Sequence, residues 1–418
     1  MLSRKSLRRA FLVPALLAVF VFVGAAAQRV RADDAVAVVQ EHLYAGTLKA
    51  GEAALADIVA KNGSDANAKF GLGLIRFSRA VERLAQSLHR YGLRAPQGIN
   101  MPFVRMPVPE NATPDVLTYE GFRAVLQDFA TDLQSADAVL AEIGEAPVKL
   151  PIDLSRVRID MAGNGAVGDD ERLMSLFGSM EPGAAANPGD FLAVLDRGDV
   201  FWLRGYCHLI MASTEWFLAH DFKDLFEEEF GLFFPRAGIR DSFTRDEDRE
   251  RTGYTGFDIQ IADAISIVHL IHWPVAEADR MLRARDHLLQ MIAMSRLSWK
   301  AILTRSDSDR HWIPGPGQTG VLRGFDVTGE RVVAWLAVLD DAEAALEGRK
   351  LVPHWRFSKG INLKRVFTEP KTFDLVLWLA GPGVRPFLET GEVISSQSWD
   401  QITRAFNGDF LTYAFWFN

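Results

Sequence analysis

The sequence predicts an all-α protein, a multi-helix bundle or array, on three observations. Apolar residues recur at alternating steps of four and three residues, the spacing of one helix face. The stretches between them are long and rich in glycine and proline. Hydrophobic residues make up 48% of the 418-residue chain, which is enough for a sizeable core. Residues 349–372 also lack this period, and there we expect a short β-hairpin or an ordered crossover.

The N-terminus has the layout of a secretory signal peptide. Four basic residues and no acidic residue lie in the first ten positions, and an uncharged apolar run fills 11–27. Small residues place cleavage after residue 27, with cleavage after residue 32 as the alternative. The pair Arg8 and Arg9 resembles a twin-arginine export signal, and an ordinary Sec signal is the other interpretation.

Export predicts a periplasmic or secreted protein with no stable membrane span after cleavage. An uncleaved first helix, which would tether the protein to a membrane, is the alternative. The precursor has a net charge of −8, from 46 Lys and Arg against 54 Asp and Glu. Cleavage after residue 27 removes four basic residues and leaves −12, and cleavage after residue 32 leaves −14. This acidic balance excludes a general nucleic-acid binder, and a single cysteine excludes an internal disulfide.

Residues 33–145 form a predicted N-terminal helical region. Two apolar stripes predict two long helices: Phe70, Leu74, Phe77, Val81, Leu84, Leu88 and Tyr91, then Phe122, Val125, Phe129, Leu133, Ala136, Leu140 and Ile143. Five prolines in residues 95–116 predict an extended connection between them. Residues 34–91, with the stretch 64–73, resemble tetratricopeptide repeats, and an ordinary helical hairpin is the alternative.

Residues 181–418 form a predicted C-terminal helical domain. Residues 198–219 are apolar almost all round, which predicts a buried central helix with Asp199 as its N-cap. Further helices are predicted over 257–272, around Met281–Leu303 and over 329–347. The last residues, 410–418, are rich in aromatic side chains and should dock on the core.

Between these regions, the segment 146–180 contains a candidate ion site. Residues 160–171 resemble the twelve-residue calcium loop of an EF-hand. The resemblance implies oxygen ligands from the side chains of Asp160, Asn164 and Glu171, from the backbone carbonyl of Ala166, and through water at Gly168. Gly165 stands where the loop must turn sharply, and Val167 stands at the apolar position.

The loop departs from the EF-hand pattern at Ala162, where an Asp or Asn side chain normally binds the ion. Pro151 leaves a short preceding helix, whereas residues 170–178 could form the exit helix. We therefore expect a structural Ca²⁺ with an affinity of roughly 0.1–1 mM, as in extracellular modules. The alternative is a loop that has kept its turn and lost the ion.

Histidines supply the other candidate chemistry. His269 and His272 are three residues apart before Glu277, a set that could hold a metal ion; packing in a core or an interface is the alternative. In the loop 304–327, Asp307 and Asp309 lie close to His311, as a general acid–base pair would require.

No phosphate loop, dinucleotide fingerprint, nucleophile elbow or HExxH motif occurs. We therefore predict an exported all-helical binding or scaffold protein, rather than an enzyme, with a protein or another cell-envelope component as partner. The alternative is an exported hydrolase that uses acids and histidines from the loops 231–256 and 304–327.

Overall fold

The computed structural model describes residues 35–94, 106, 108–168, 171–173, 191–238, 256–321, 326–395, 400, 403–408 and 410–418. The fold is mainly helical with small antiparallel strand pairs, which confirms the predicted class. The predicted signal peptide, most of the exit helix 170–178 and most of the loop 231–256 lie outside the described residues. No helix among the described residues has the length and hydropathy to cross a membrane.

Four helices form the N-terminal region: α1 (Ala35–Ala45), α2 (Leu48–Lys61), α3 (Ala66–Arg90) and α4 (Tyr119–Ala141). The last two contain the predicted stripes, and Asp65 and Thr118 cap their N-termini. Glycine lets neighbours approach α3 closely, since a Cβ at Gly73 would lie 2.4 Å from the Leu140 side chain. The tetratricopeptide resemblance of this region stays a prediction.

The remaining helices are α5 (Arg197–Ala219), α6 (Lys223–Glu229), α7 (Gly256–Leu270), α8 (Ala278–Ile302), α9 (Gly329–Leu346), α10 (Leu363–Thr368), α11 (Leu375–Ala380) and α12 (Phe410–Phe417). Helix α5 is central, as predicted. It packs against α8 and α4, and most of its side chains are buried. Short 3-10 turns occupy Leu154–Arg156, Phe230–Leu232 and Pro382–Phe387.

Three antiparallel strand pairs connect these helices: β1 (Leu150–Asp153) with β2 (Leu192–Leu195), β3 (His272–Trp273) with β5 (Phe373–Asp374), and β4 (Gly360–Ile361) with β6 (Leu388–Glu389). In the expected hairpin region, Val352 and Ile361 do exchange backbone hydrogen bonds. However, β4 pairs with β6, and the segment also contains α10. Six residues are too few to show a helical period, so α10 was not predicted.

Two hydrophobic clusters hold the described residues together. The large one runs through α1 to α5, α8, α9 and α12. A small second cluster consists of Ile361, Val384 and Phe387, packed with side chains such as Trp378. It lies within residues 349–394, which contain α10, α11, β4, β5 and β6 and which we call the appended unit.

The aromatic segment 410–418 docks on the large core, as predicted. Phe417 is fully buried, and Trp202 donates its indole N–H to the backbone carbonyl of Trp416 (2.8 Å). The hydroxyl of Ser295 donates to the backbone carbonyl of Asn418 (2.7 Å). Helix α12 is thereby fixed to both α5 and α8.

Candidate functional site

The loop 160–171 lies against helix α3. The amide of Gln86 on α3 donates to the backbone carbonyl of Asp160 (2.8 Å). At the predicted turn position, Gly165 has a φ of 76°, a left-handed conformation that glycine adopts without a steric penalty. The predicted sharp turn is therefore present, and α3 fixes its start.

The carboxylate of Asp160 is buried and faces the backbone of its own loop. Its Oδ1 accepts hydrogen bonds from the backbone N–H groups of Gly163 (2.7 Å) and Asn164 (3.2 Å). Its Oδ2 accepts one from the N–H of Gly165 (2.9 Å). Asp160 thus orders the first half of the loop.

Glu171, at the end of the loop, closes it in the same manner. Its Oε1 accepts from the N–H groups of Met161 (2.8 Å) and Ala162 (3.0 Å), and its Oε2 accepts from Gly168 (3.0 Å). The side chain is 4% exposed. The chain therefore wraps around two of its own carboxylates, and these hydrogen bonds offset part of the cost of burying them.

These hydrogen bonds limit the number of free oxygen ligands that the loop can offer to a cation. An ionised carboxylate offers about four acceptor positions, and three are taken on each of Asp160 and Glu171. The amide oxygen of Asn164 accepts from the N–H of Ala166 (2.8 Å) at the exposed tip. The structure therefore brings Asp160 and Glu171 together. Asn164 takes part through its amide oxygen and its backbone N–H, whereas Ala166 and Gly168 take part through their backbone N–H groups.

Glu82 on α3 is a third carboxylate of this region, which the sequence motif missed. It is 6% exposed, and its Oε1 lies 3.4 Å from the backbone nitrogen of Asp160, which donates to it. Burial raises the pKa of Glu82 to about 7, and the charges of Asp160 and Glu171 add to this effect. Its position between the buried Ser78 and Ala85 was the available signal, because these three residues share one helix face.

A second polar cluster lies where α5 begins. The predicted N-cap was wrong: Asp196 caps the helix, and Asp199 stands at the third helical position. The carboxylate of Asp196 accepts from the N–H of Gly198 (2.7 Å), and Asp199 accepts from the N–H of Asp196 (2.9 Å). This reciprocal capping box ties both acids to the helix terminus.

Arg305, just after α8, supplies the counter-charge of the second cluster. Its Nε and Nη2 donate to the two carboxylate oxygens of Asp196 (2.6 and 2.7 Å), and Nη2 lies 3.4 Å from Asp199. Burial raises the pKa of Asp199 to about 8. Burial also acts to raise the pKa of Asp196, but the hydrogen bonds and charge of Arg305 outweigh it and lower that pKa.

His311 completes this cluster and is 1% exposed. Its Nε2 lies 2.7 Å from Asp307, as the acid–base hypothesis expected, and its Nδ1 lies 3.2 Å from the backbone carbonyl of Val194. Within the described part of the chain, His311, Asp196 and Asp199 are the group of potential metal ligands that converges within 4.8 Å. The guanidinium of Arg305 already provides the positive charge there, so a metal ion would have to displace it.

The histidines around β3 do not form the proposed metal set among the described residues. His269 and His272 are both exposed, so packing in the core was wrong, whereas packing in an interface stays a prediction. The Nδ1 of His272 bonds to Asp374 (2.7 Å). Glu277 accepts from Arg123 (2.6 Å) and Arg280 (2.7 Å), and these two ion pairs occupy its carboxylate.

An open cavity of about 190 Å³ lies between α3 and α4. Its lining includes Gln86, whose amide also holds the start of the loop 160–171, and the ion pair between Arg83 and Asp132 (2.6 Å). Comparison with known proteins adds no assignment to these features: the chain matches no protein-family model, no curated protein and no solved structure.

Proposed function

We propose that this chain is an exported all-helical binding or scaffold protein in which the loop 160–171 responds to Ca²⁺ as a structural ligand. The observation that supports the calcium part is the joint burial of the loop's first and last carboxylates, Asp160 and Glu171, inside one turn-rich loop. Oxygen-rich loops of this spacing suit a hard divalent cation.

Charge repulsion favours a cation at this place. Asp160, Glu171 and Glu82 are all buried; burial is the main cause that raises the pKa of Glu82, and the charges of the two loop carboxylates add to it. A divalent ion beside the loop would offset this repulsion. Since each loop carboxylate retains only about one free acceptor position and Ala162 supplies no side-chain oxygen, binding is weak and water must complete the coordination.

A binding role is favoured over catalysis by the burial of the acid–histidine pair. His311 is 1% exposed and the side chain of Arg305 is 3% exposed, so a substrate does not reach the imidazole in this conformation. General acid–base catalysis needs the catalytic group within hydrogen-bond reach of the substrate. The hydrolase alternative for the loop 304–327 therefore has no open site at His311.

The calcium proposal is tested by thermal unfolding of the predicted mature chain, from residue 28, at increasing CaCl2. With a dissociation constant near 0.5 mM, about 10 mM CaCl2 should stabilise the fold by roughly 2 kcal/mol and raise Tm by a few degrees. Glu171→Gln and Asp160→Asn should each abolish this rise, because each removes a charge that faces the ion.

The matched control is Glu41→Gln, which changes an exposed glutamate on α1 and should keep the full calcium response. MgCl2 at the same concentration should have a smaller effect, since Mg²⁺ requires stricter octahedral geometry. Absence of both a Tm shift and calorimetric heat with CaCl2 contradicts the proposal. Export is tested separately, by N-terminal sequencing of the protein from a cell-envelope fraction.

A further inference from the structure

The appended unit exposes large apolar side chains at one junction between a loop and a helix. Trp355, in the loop before β4, is 80% exposed, and Leu379 on α11 is 66% exposed. The two residues are joined, because the indole N–H of Trp355 donates to the backbone carbonyl of Leu379 (3.0 Å). This bond satisfies the one polar group of the indole, so the ring presents an apolar face to its surroundings.

This junction is held in place by further contacts. Arg356 donates to the backbone carbonyl of Ala380 (2.6 Å), and the His354 ring nitrogen Nε2 lies 3.2 Å from the carbonyl of Trp378. Trp378 in turn packs on the small core of the appended unit. The exposed side chains therefore project from a packed support.

Basic side chains outnumber acidic ones in the appended unit. Residues 349–394 contain eight Lys and Arg against four Asp and Glu, a balance of +4 in a chain of −8. Arg356, Lys359 and Arg385 are exposed, and none forms an ion pair with a carboxylate among the described residues. We call Trp355, Arg356, Lys359, Val376, Leu379 and Arg385 the docking patch.

Helix α7 extends the exposed apolar surface. Ile261, Ile265 and Val268 are 45%, 55% and 38% exposed, and their steps of four and three place them on one helix face. Helix α7 contacts α11, and β3 after α7 pairs with β5 before α11. Exposed apolar side chains on two adjoining helices mark an interaction surface.

We infer that the docking patch binds a membrane surface that contains anionic lipid headgroups. A tryptophan, aliphatic side chains and Lys and Arg residues that form no ion pair within the described part of the chain fit the headgroup boundary, where indole rings and basic residues concentrate. An anionic membrane surface would repel the acidic remainder of the chain. This repulsion orients the docking patch toward the membrane. The inference rests on the proposed binding function, whose partner it names, and is independent of the calcium loop.

The test is sedimentation of the mature chain with vesicles, in EDTA so that calcium does not bridge anions. Vesicles of phosphatidylcholine with about one-third phosphatidylglycerol should bind the protein at about 0.1 M salt. Binding should weaken about tenfold at about 0.5 M salt and should be absent on pure phosphatidylcholine. Trp355→Ser should weaken binding about tenfold, and Lys359→Glu with Arg385→Glu should weaken it at least as much.

Two matched controls lie outside the docking patch. Val333→Ser removes an apolar side chain that is 69% exposed on α9, and Lys300→Glu reverses an exposed charge on α8. Both should bind within twofold of the unchanged protein. Circular dichroism of each variant establishes that it is folded before its binding is compared.

Equal weakening by patch and control variants overturns the inference, as does equal binding to both kinds of vesicle. Retention on a polyglutamate resin without vesicle binding also overturns it, and indicates an acidic protein partner instead. A sample that fails to bind vesicles but keeps its calcium-induced Tm shift refutes lipid docking alone. Vesicle binding without that Tm shift refutes only the proposal that the loop 160–171 binds Ca²⁺.

Discussion

At the scale of single residues, burial acts on two titratable side chains in opposite directions. Burial raises the pKa of Glu82 to about 7 and lowers the pKa of His208 to about 4. In both cases the neutral form is favoured, because a charge loses hydration inside the protein. The same cause therefore gives a carboxyl that weakens the fold at high pH and an imidazole that weakens it at low pH.

Glu82→Gln should remove the loss of stability that ionisation of the buried Glu82 causes at high pH. The folded pKa of about 7 lies above the ordinary value of 4.5. Below pH 4.5 the carboxyl is neutral in both the folded and the unfolded chain and its burial costs no charge desolvation. This part of the free energy of unfolding is lost as the pH rises through 7, because the buried carboxyl then ionises. We expect Glu82→Gln to be more stable than the unchanged protein by roughly 1–3 kcal/mol at pH 8, and near-equal at pH 4.5. Urea unfolding at the two pH values measures this, and a difference independent of pH would contradict it.

His208→Gln should report the second effect. The Nδ1 atoms of His208 and His287 lie 2.9 Å apart between α5 and α8, with Asp137 and Arg204 beside them. Since the folded pKa is about 4 against 6.5, the unfolded chain binds the proton first as pH falls. The unchanged protein should lose roughly 2–3 kcal/mol between pH 6.5 and 4 at this site, and His208→Gln should lose less. His269→Gln, at an exposed position, is the control, and an equal loss in both variants would count against the prediction.

At the scale of secondary structure, the start of α5 depends on a residue 109 positions away. The sequence identified the helix itself, because a stretch that is apolar almost all round is a local property. It misassigned the N-cap, since Asp196 and Asp199 are both suitable cap residues and their geometry differs only in the folded chain. Arg305 holds Asp196 through two parallel hydrogen bonds and thereby joins the start of α5 to the end of α8.

Arg305→Leu should destabilise the fold by about 3 kcal/mol, because it leaves the carboxylate of Asp196 partly buried without its counter-charge. Combining it with Asp196→Ser, which keeps an N-cap oxygen and removes the charge, should recover part of the loss. Urea unfolding of the single and double variants measures the recovery. A double variant less stable than Arg305→Leu alone would show that the ion pair is not the source of the cost.

At the scale of the whole molecule, charge and aromatic side chains are distributed unevenly. The chain is acidic overall, whereas residues 349–394 are basic and display the exposed Trp355. The aromatic segment 410–418, by contrast, is largely buried against α5 and α8. Composition alone does not distinguish these two aromatic regions, since the difference lies in what each segment packs against.

The sequence alone determined the helical class, the long helices and the turn of the loop 160–171, because a repeat of 3.6 residues and a glycine turn are local properties. Tertiary structure decided which distant groups meet. It placed Glu82 beside Asp160, enclosed His311 with Asp196 and Asp199, and left Trp355 exposed in the unit that contains the small second core. These outcomes depend on burial and on pairs far apart in the chain, and no local pattern encodes either.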